Sequence, residues 1–123
     1  MLFFLMASHA LADYSLQNEA IATCKCRVAK LPLQKAVPWF YWLTAHALLH
    51  GAFVALVIAF LGSGRFSLDT AVMFGLFEFV AHWLIDLAKC EGLLSIHADQ
   101  GLHVLCKVIW YGMLLAGVTA PSL

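Results

Sequence analysis

Apolar residues along this chain come in long runs, and the few polar positions inside those runs recur at every fourth residue. A membrane-crossing helix needs roughly 20 mostly apolar residues, because the hydrocarbon core is about 30 Å thick and each helical residue rises about 1.5 Å. Three runs meet that length: 38–61, 68–88 and 97–118. The first opens on Pro38 and the interfacial aromatics Trp39, Phe40, Tyr41 and Trp42, and it stops at Gly62-Ser63-Gly64. Ser67 and Ser95 stand where N-caps of the other two belong, Gly92 follows the second and Pro121 lies beyond the third. A fourth run, 2–17, is apolar but short for a full crossing. Its Ala10-Leu11-Ala12 imitates a signal-peptide cleavage site, yet no positive n-region precedes it and the apolar stretch is brief, so it is expected to stay as a first helix. The pattern predicts an all-α fold, a polytopic four-helix transmembrane bundle forming one domain over 1–123, with a single long polar connection at 18–37.

Composition sharpens this. The chain is 63% hydrophobic and 11% charged with no formal net charge, and its mean hydropathy of +0.89 lies above the range of soluble domains. Without a basic excess, nucleic acid is not an expected partner. Lys25, Arg27, Lys30 and Lys35, four of the seven basic residues, fall in 18–37, which the positive-inside rule places in the cytoplasm. With four crossings the turn 89–95 lies on the same side, Arg65 lies on the other, and both termini face outward. The four cysteines are too few and too scattered for a disulfide framework. Cys24 and Cys26 belong to the cytoplasmic loop, where thiols stay reduced, so all four are expected as unpaired small apolar residues.

The chemistry sits on the polar positions. His9, Asp13 and Gln17 share a spacing of four in the first run, His46 and His50 in the second, Glu78, His82 and Asp86 in the third, and Asp99, His103 and Lys107 in the fourth. That spacing stacks each set on one helix face. A charge at the centre of a membrane helix costs on the order of 2.5 to 3.5 kcal/mol by insertion scales, so four such faces should turn inward and meet. Neutral imidazole and carboxylate suit zinc, with iron or manganese next. His9, Asp13, His46, His50, His82, Asp86, Asp99 and His103 are the candidate ligands of a divalent metal, with Gln17 and Gln100 either orienting them or bonding between helices. The inferred topology sets their depth in the cytoplasmic half. Asp13, Glu78, Asp86 and Asp99 against Lys89 and Lys107 leave an acidic excess that a divalent cation would neutralise. Lys89 either pairs with Asp86 or snorkels to the interface, or else it holds an anionic group. His97 is expected at the surface, and Trp39, Trp42, Trp83 and Trp110 are expected in interfacial belts or packing.

His9 with Ala12-Asp13-Tyr14-Ser15-Leu16-Gln17, His46 and His50, His82-Trp83-Leu84-Ile85-Asp86 with Lys89, and Asp99-Gln100 with His103 resemble a family of small integral membrane proteins of phages and bacteria, known as a domain of unknown function. The resemblance spans nearly the whole chain and implies a multi-pass protein of the bacterial inner membrane. In motif style alone, the His-x-x-x-Asp pairs also resemble membrane-bound metal-dependent hydrolases.

These readings lead to a metal-dependent hydrolase acting on a lipid or isoprenoid phosphate, with Glu78 as base and Lys89 holding the anionic group. Two alternatives stay open. One is a non-catalytic membrane factor whose metal staples the helices together. The other is an ion or proton transporter, which at this size requires a homo-oligomer. Membrane lipids are the expected partners in each.

Overall fold

The computed structural model describes residues 1–121, and within them the chain is all-helical without a strand. Helix α1 (Leu2–Ala10) runs directly into a π-helical stretch, Leu11–Leu16. Two short helices, α2 (Glu19–Cys24) and α3 (Leu33–Ala36), flank a 3-10 turn at Arg27–Ala29. Three long helices follow: α4 (Trp39–Leu61), α5 (Leu68–Cys90) and α6 (Ile96–Leu115). The long boundaries fall within three residues of the predicted ones, for readable reasons. Ser67 Oγ accepts from the Thr70 amide at 3.1 Å, and Ser95 Oγ accepts from the Ala98 amide at 3.2 Å, so both predicted N-caps form. At the far end of α5, Gly92 takes φ +78° and the Leu93 amide reaches back to the Ala88 carbonyl at 2.9 Å, closing the helix with a left-handed cap.

Two helices, α4 and α5, are long and apolar enough to cross a membrane; the Leu2–Leu16 segment is apolar but shorter. Only 39% of the most apolar stretch of α4 and 33% of that of α5 are buried within the chain. Most of that surface therefore faces outward, unlike the core helix of a soluble protein. The outward apolar residues include Leu48, Leu56 and Phe60 on α4 and Val72, Leu76, Val80 and Leu84 on α5. Helix α6 shows the same habit with Val104, Leu105, Val108 and Ile109 exposed, while Asp99, His103, Lys107 and Leu114 are its buried positions.

The interior divides along its length. One end is an apolar core of Leu5, Val54, Ile58, Ala71, Phe74 and Leu114. One helical turn from Leu5 the inward position becomes His9; from Val54 it becomes His50; from Phe74 it becomes Glu78. The helices alternate in direction, so these switches from apolar to polar fall at a common level. Spacing of four thus continues through both halves, with only the chemistry changing.

Helices α4 and α5 come into backbone contact at Gly51 and Gly75. A Cβ on Gly51 would lie 2.6 Å from the Gly75 carbonyl oxygen, and one on Gly75 would lie 2.8 Å from the Gly51 oxygen. Small residues permit this backbone approach, which places His46 and His50 beside His82. Gly51→Ala is expected to destabilise the bundle by about 1–3 kcal/mol through overpacking. Gly101→Ala, whose added carbon meets nothing within 4 Å, serves as the control when both are unfolded in detergent.

The segment 18–37 is more than a connection, and it departs from the sequence expectation. Asn18 caps α2, its Oδ1 accepting from the Ile21 amide at 2.9 Å. Gln34 Nε2 donates to the carbonyls of Cys24 and Cys26 at 2.9 and 2.8 Å, folding the segment back on itself. Cys26 and Cys90 form a disulfide, their Cα atoms 4.9 Å apart, contrary to the expectation of four free thiols. A separation of 64 residues conceals the pair from sequence, because it depends on the end of α5 arriving beside the loop. Cys24 and Cys106 remain free. Beside the disulfide, Arg27 donates to Glu91 from Nε at 3.0 Å and from Nη2 at 2.7 Å. That guanidinium holds the half-buried Glu91 carboxyl below its ordinary range.

Candidate metal centre

All eight ligand-type residues singled out from the sequence reach one buried cluster. His46, His50, His82, Asp86, Asp99 and His103 are each at most 3% exposed, and His9 is 5% exposed; the Asp13 side chain is 8% exposed. Helix α1 and its π extension deliver His9 and Asp13, with His9 Nε2 3.5 Å from Asp13 Oδ2. The π turn is wider than an α turn and resets the direction in which Asp13 leaves the helix. Asp13 Oδ1 then lies 3.2 Å from His46 Nε2 and 3.0 Å from His50 Nε2. Helices α5 and α6 complete the set: Asp86 Oδ1 is 3.7 Å from His103 Nε2, and Asp99 Oδ1 is 3.5 Å from the same nitrogen.

The imidazoles crowd together. His82 stacks on His50 with ring centres 3.6 Å apart and on His103 at 4.1 Å. His82 Nε2 faces His46 Nε2 at 3.2 Å, and His9 Nδ1 faces His50 Nδ1 at 3.4 Å. Two neutral ring nitrogens can face one another only if one carries the proton, whereas a cation accepts lone pairs from both. Among the described residues, His9 Nε2, His82 Nδ1, Asp99 Oδ1 and both nitrogens of His103 are buried without a hydrogen-bond partner. Buried polar atoms are normally satisfied, and all five of these are of types that could ligate a metal ion.

Three sets of atoms are compact enough to hold a metal ion, each with its ligand atoms within 4.8 Å of one another: Asp13, His46, His50 and His82; Glu78, His82 and His103; and Asp86, Asp99 and His103. His82 and His103 each belong to two sets, so the cluster is continuous.

The residues around it take different parts. Gln100 Nε2 donates to Asp13 Oδ2 and to Asp99 Oδ2, both at 3.1 Å, and so ties two candidate ligands together. Gln17 instead accepts from Lys25 at 2.7 Å and donates to the Asp13 main-chain carbonyl at 3.2 Å. Both oxygens of Glu78 are engaged, Oε1 by Lys107 at 2.6 Å and Oε2 by Trp110 Nε1 at 2.8 Å. Trp110 is therefore a polar partner of the interior as well as a packing residue. Lys89 does not pair with Asp86; its Nζ lies 3.7 Å from Asp99 Oδ2, on a side chain 30% exposed. His97 is exposed, as expected.

The partner of Asp86 is a residue that sequence reasoning passes over. Lys25, from the basic segment 18–37, is 2% exposed and places Nζ 2.6 Å from Asp86 Oδ2. No periodicity marks it, since it lies in a short helix cap outside the long runs. The family model of a protein of unknown function, DUF3307, matches residues 1–122 of this sequence. The chain belongs to the DUF3307 family. No curated protein and no solved structure matches the chain. The hydrolase likeness in motif style therefore draws no support from these comparisons, and the DUF3307 assignment carries no reaction.

Proposed function

We propose that this DUF3307 protein crosses the membrane four times and holds a divalent metal in its cytoplasmic half, where it hydrolyses a lipid-borne or isoprenoid phosphate ester. The observation that carries the metal reading is the set of unpartnered buried nitrogens and oxygen on His9, His82, His103 and Asp99, residues drawn from three separate helices. The membrane reading is supported by an inside-out distribution of polarity. Leucine, valine and phenylalanine side chains are exposed along α1, α4, α5 and α6, while histidines, carboxylates and ammonium groups are buried. Such a surface is stable only in an apolar solvent.

A bound divalent ion would lower the pKa of a coordinated water and polarise a phosphoryl oxygen. In this reading the chain's own residues do the rest. Gln100 fixes the carboxylates of Asp13 and Asp99, and Lys89, half-buried at the rim, attracts the anionic headgroup. Glu78 is assigned to holding Lys107 and Trp110 in place of acting as a base, because each of its oxygens already accepts a hydrogen bond from one of them. Zinc fits the ligand types best, followed by iron and manganese.

Burial of all the ligands favours a second reading, in which the metal only staples the helices, as small bundles with little association energy require. One experiment separates the two. Detergent-purified protein is expected to carry at least one tightly held divalent ion per chain by elemental analysis and to release phosphate from polyprenyl phosphates in vesicles. Metal without turnover, with chelation unfolding the bundle, would leave the staple. Protein free of metal after purification and reloading would end both readings.

A further inference from the structure

Lys25 occupies the site in a way that a passive neighbour would not. Its ammonium touches Asp86 Oδ2, the same oxygen that lies 3.5 Å from His46 Nε2 and 3.6 Å from His82 Nε2. An ion ligated by Asp86 through that oxygen would compete with Nζ for its lone pairs. We propose that Lys25 is a built-in cation that competes with the metal for Asp86, and that the Cys26–Cys90 disulfide holds it there as a reducible latch. This rests on the metal reading above and adds its regulation.

Charge supports competition. With imidazoles neutral, the buried carboxylates of Asp13, Glu78, Asp86 and Asp99 face the ammonium groups of Lys25, Lys89 and Lys107. One negative charge is left uncompensated while Lys25 is docked, and two are left when it withdraws. Two is what a divalent cation neutralises. Metal and docked Lys25 together would leave a net positive charge in a low-dielectric interior, which is costly.

The covalent connection is direct. Cys26 is the next residue after Lys25, and its bond to Cys90 fixes that backbone four residues beyond Asp86 on α5. Gln17 Oε1 gives the ammonium a second acceptor at 2.7 Å. On the cytoplasmic side proposed for this loop, disulfides are typically transient and redox-sensing. A dithiol reductant would supply two electrons and two protons, cleave the Sγ–Sγ bond to two thiols and close its own disulfide. The freed segment then loses the tether that makes Lys25 docking local, and the coupling between Lys25 and metal is reciprocal by linkage.

The test measures Co(II) affinity spectroscopically in oxidised wild type, in Lys25→Met and in the paired Cys26→Ser, Cys90→Ser variant. Alongside, amine-reactive labelling of Lys25 in wild type is followed by mass spectrometry with and without Co(II). Lys25→Met is expected to bind Co(II) about 5–150-fold more tightly, the range of ordinary coupling between sites. The serine pair should gain part of that increase, and combining it with Lys25→Met should add nothing further. Co(II) should also expose Lys25 to labelling, a readout that needs no variant to fold. Equal or weaker binding by Lys25→Met, or protection of Lys25 by Co(II), overturns the competition while leaving the metal centre intact. No Co(II) binding by any form overturns the centre and the competition together.

Discussion

His82→Ala is expected to lower divalent metal affinity by at least about 100-fold, since even residues that only orient a ligand are worth about 10–100-fold. His82 is fully buried and shares in two of the three candidate ion groups. Its Nε2 meets His46, its Nδ1 lies 3.5 Å from Glu78 Oε1 without a hydrogen bond, and its ring is sandwiched by His50 and His103. Removing it deletes a ligand atom and unstacks two neighbouring imidazoles that carry others. Metal per chain after dialysis against a weak chelator checks this. His82→Gln, which retains most of the volume and a polar end, separates ligand loss from collapse, and its helicity and elution in detergent should match the wild type. A His82→Ala protein that keeps its metal at wild-type affinity would refute the assignment.

The ground for that prediction is legible in the sequence alone, because spacing of four is a property of the sequence and the cost of burying charge in an apolar solvent supplies the direction. The same reasoning locates all of the long helices and brings Asp13, His46, His50, His82, Asp86, Asp99 and His103 into the three candidate ion groups, while His9 packs its ring against His82 and His103 without joining any of them. What it misses lies in 18–37. Lys25 and Cys26 belong to a segment whose polarity resembles an ordinary loop, and their partners, Asp86 and Cys90, are more than 60 residues away, with separations of 61 and 64. Periodicity within one helix carries no information about such pairings. The acidic excess is overestimated from sequence for the same reason, since Lys25 supplies a positive charge that the long runs do not contain.

Glu78 and Lys107 show how the two halves of the interior are joined. They lie where apolar core gives way to the histidine cluster, each 1% exposed and 2.6 Å apart. Breaking a buried pair by removing one partner costs about 3–5 kcal/mol, because the remaining charge is left without compensation. Lys107→Met is therefore expected to destabilise the bundle by that amount in denaturant titrations of detergent micelles. Glu78→Gln should cost a similar amount by stranding the ammonium. The double variant Glu78→Gln, Lys107→Met carries no buried charge at this level, and its new side-chain amide oxygen can still accept from Trp110 as Glu78 does at 2.8 Å. Replacing a buried pair by neutral groups of similar volume is often neutral, so the double variant should recover most of the loss, giving strongly non-additive costs. Additive costs, or a Lys107→Met protein as stable as wild type, would mean that water reaches this level of the bundle. Glu78 would then be free to exchange its proton, which the sealed pair prevents, and its role as a base would regain its physical ground.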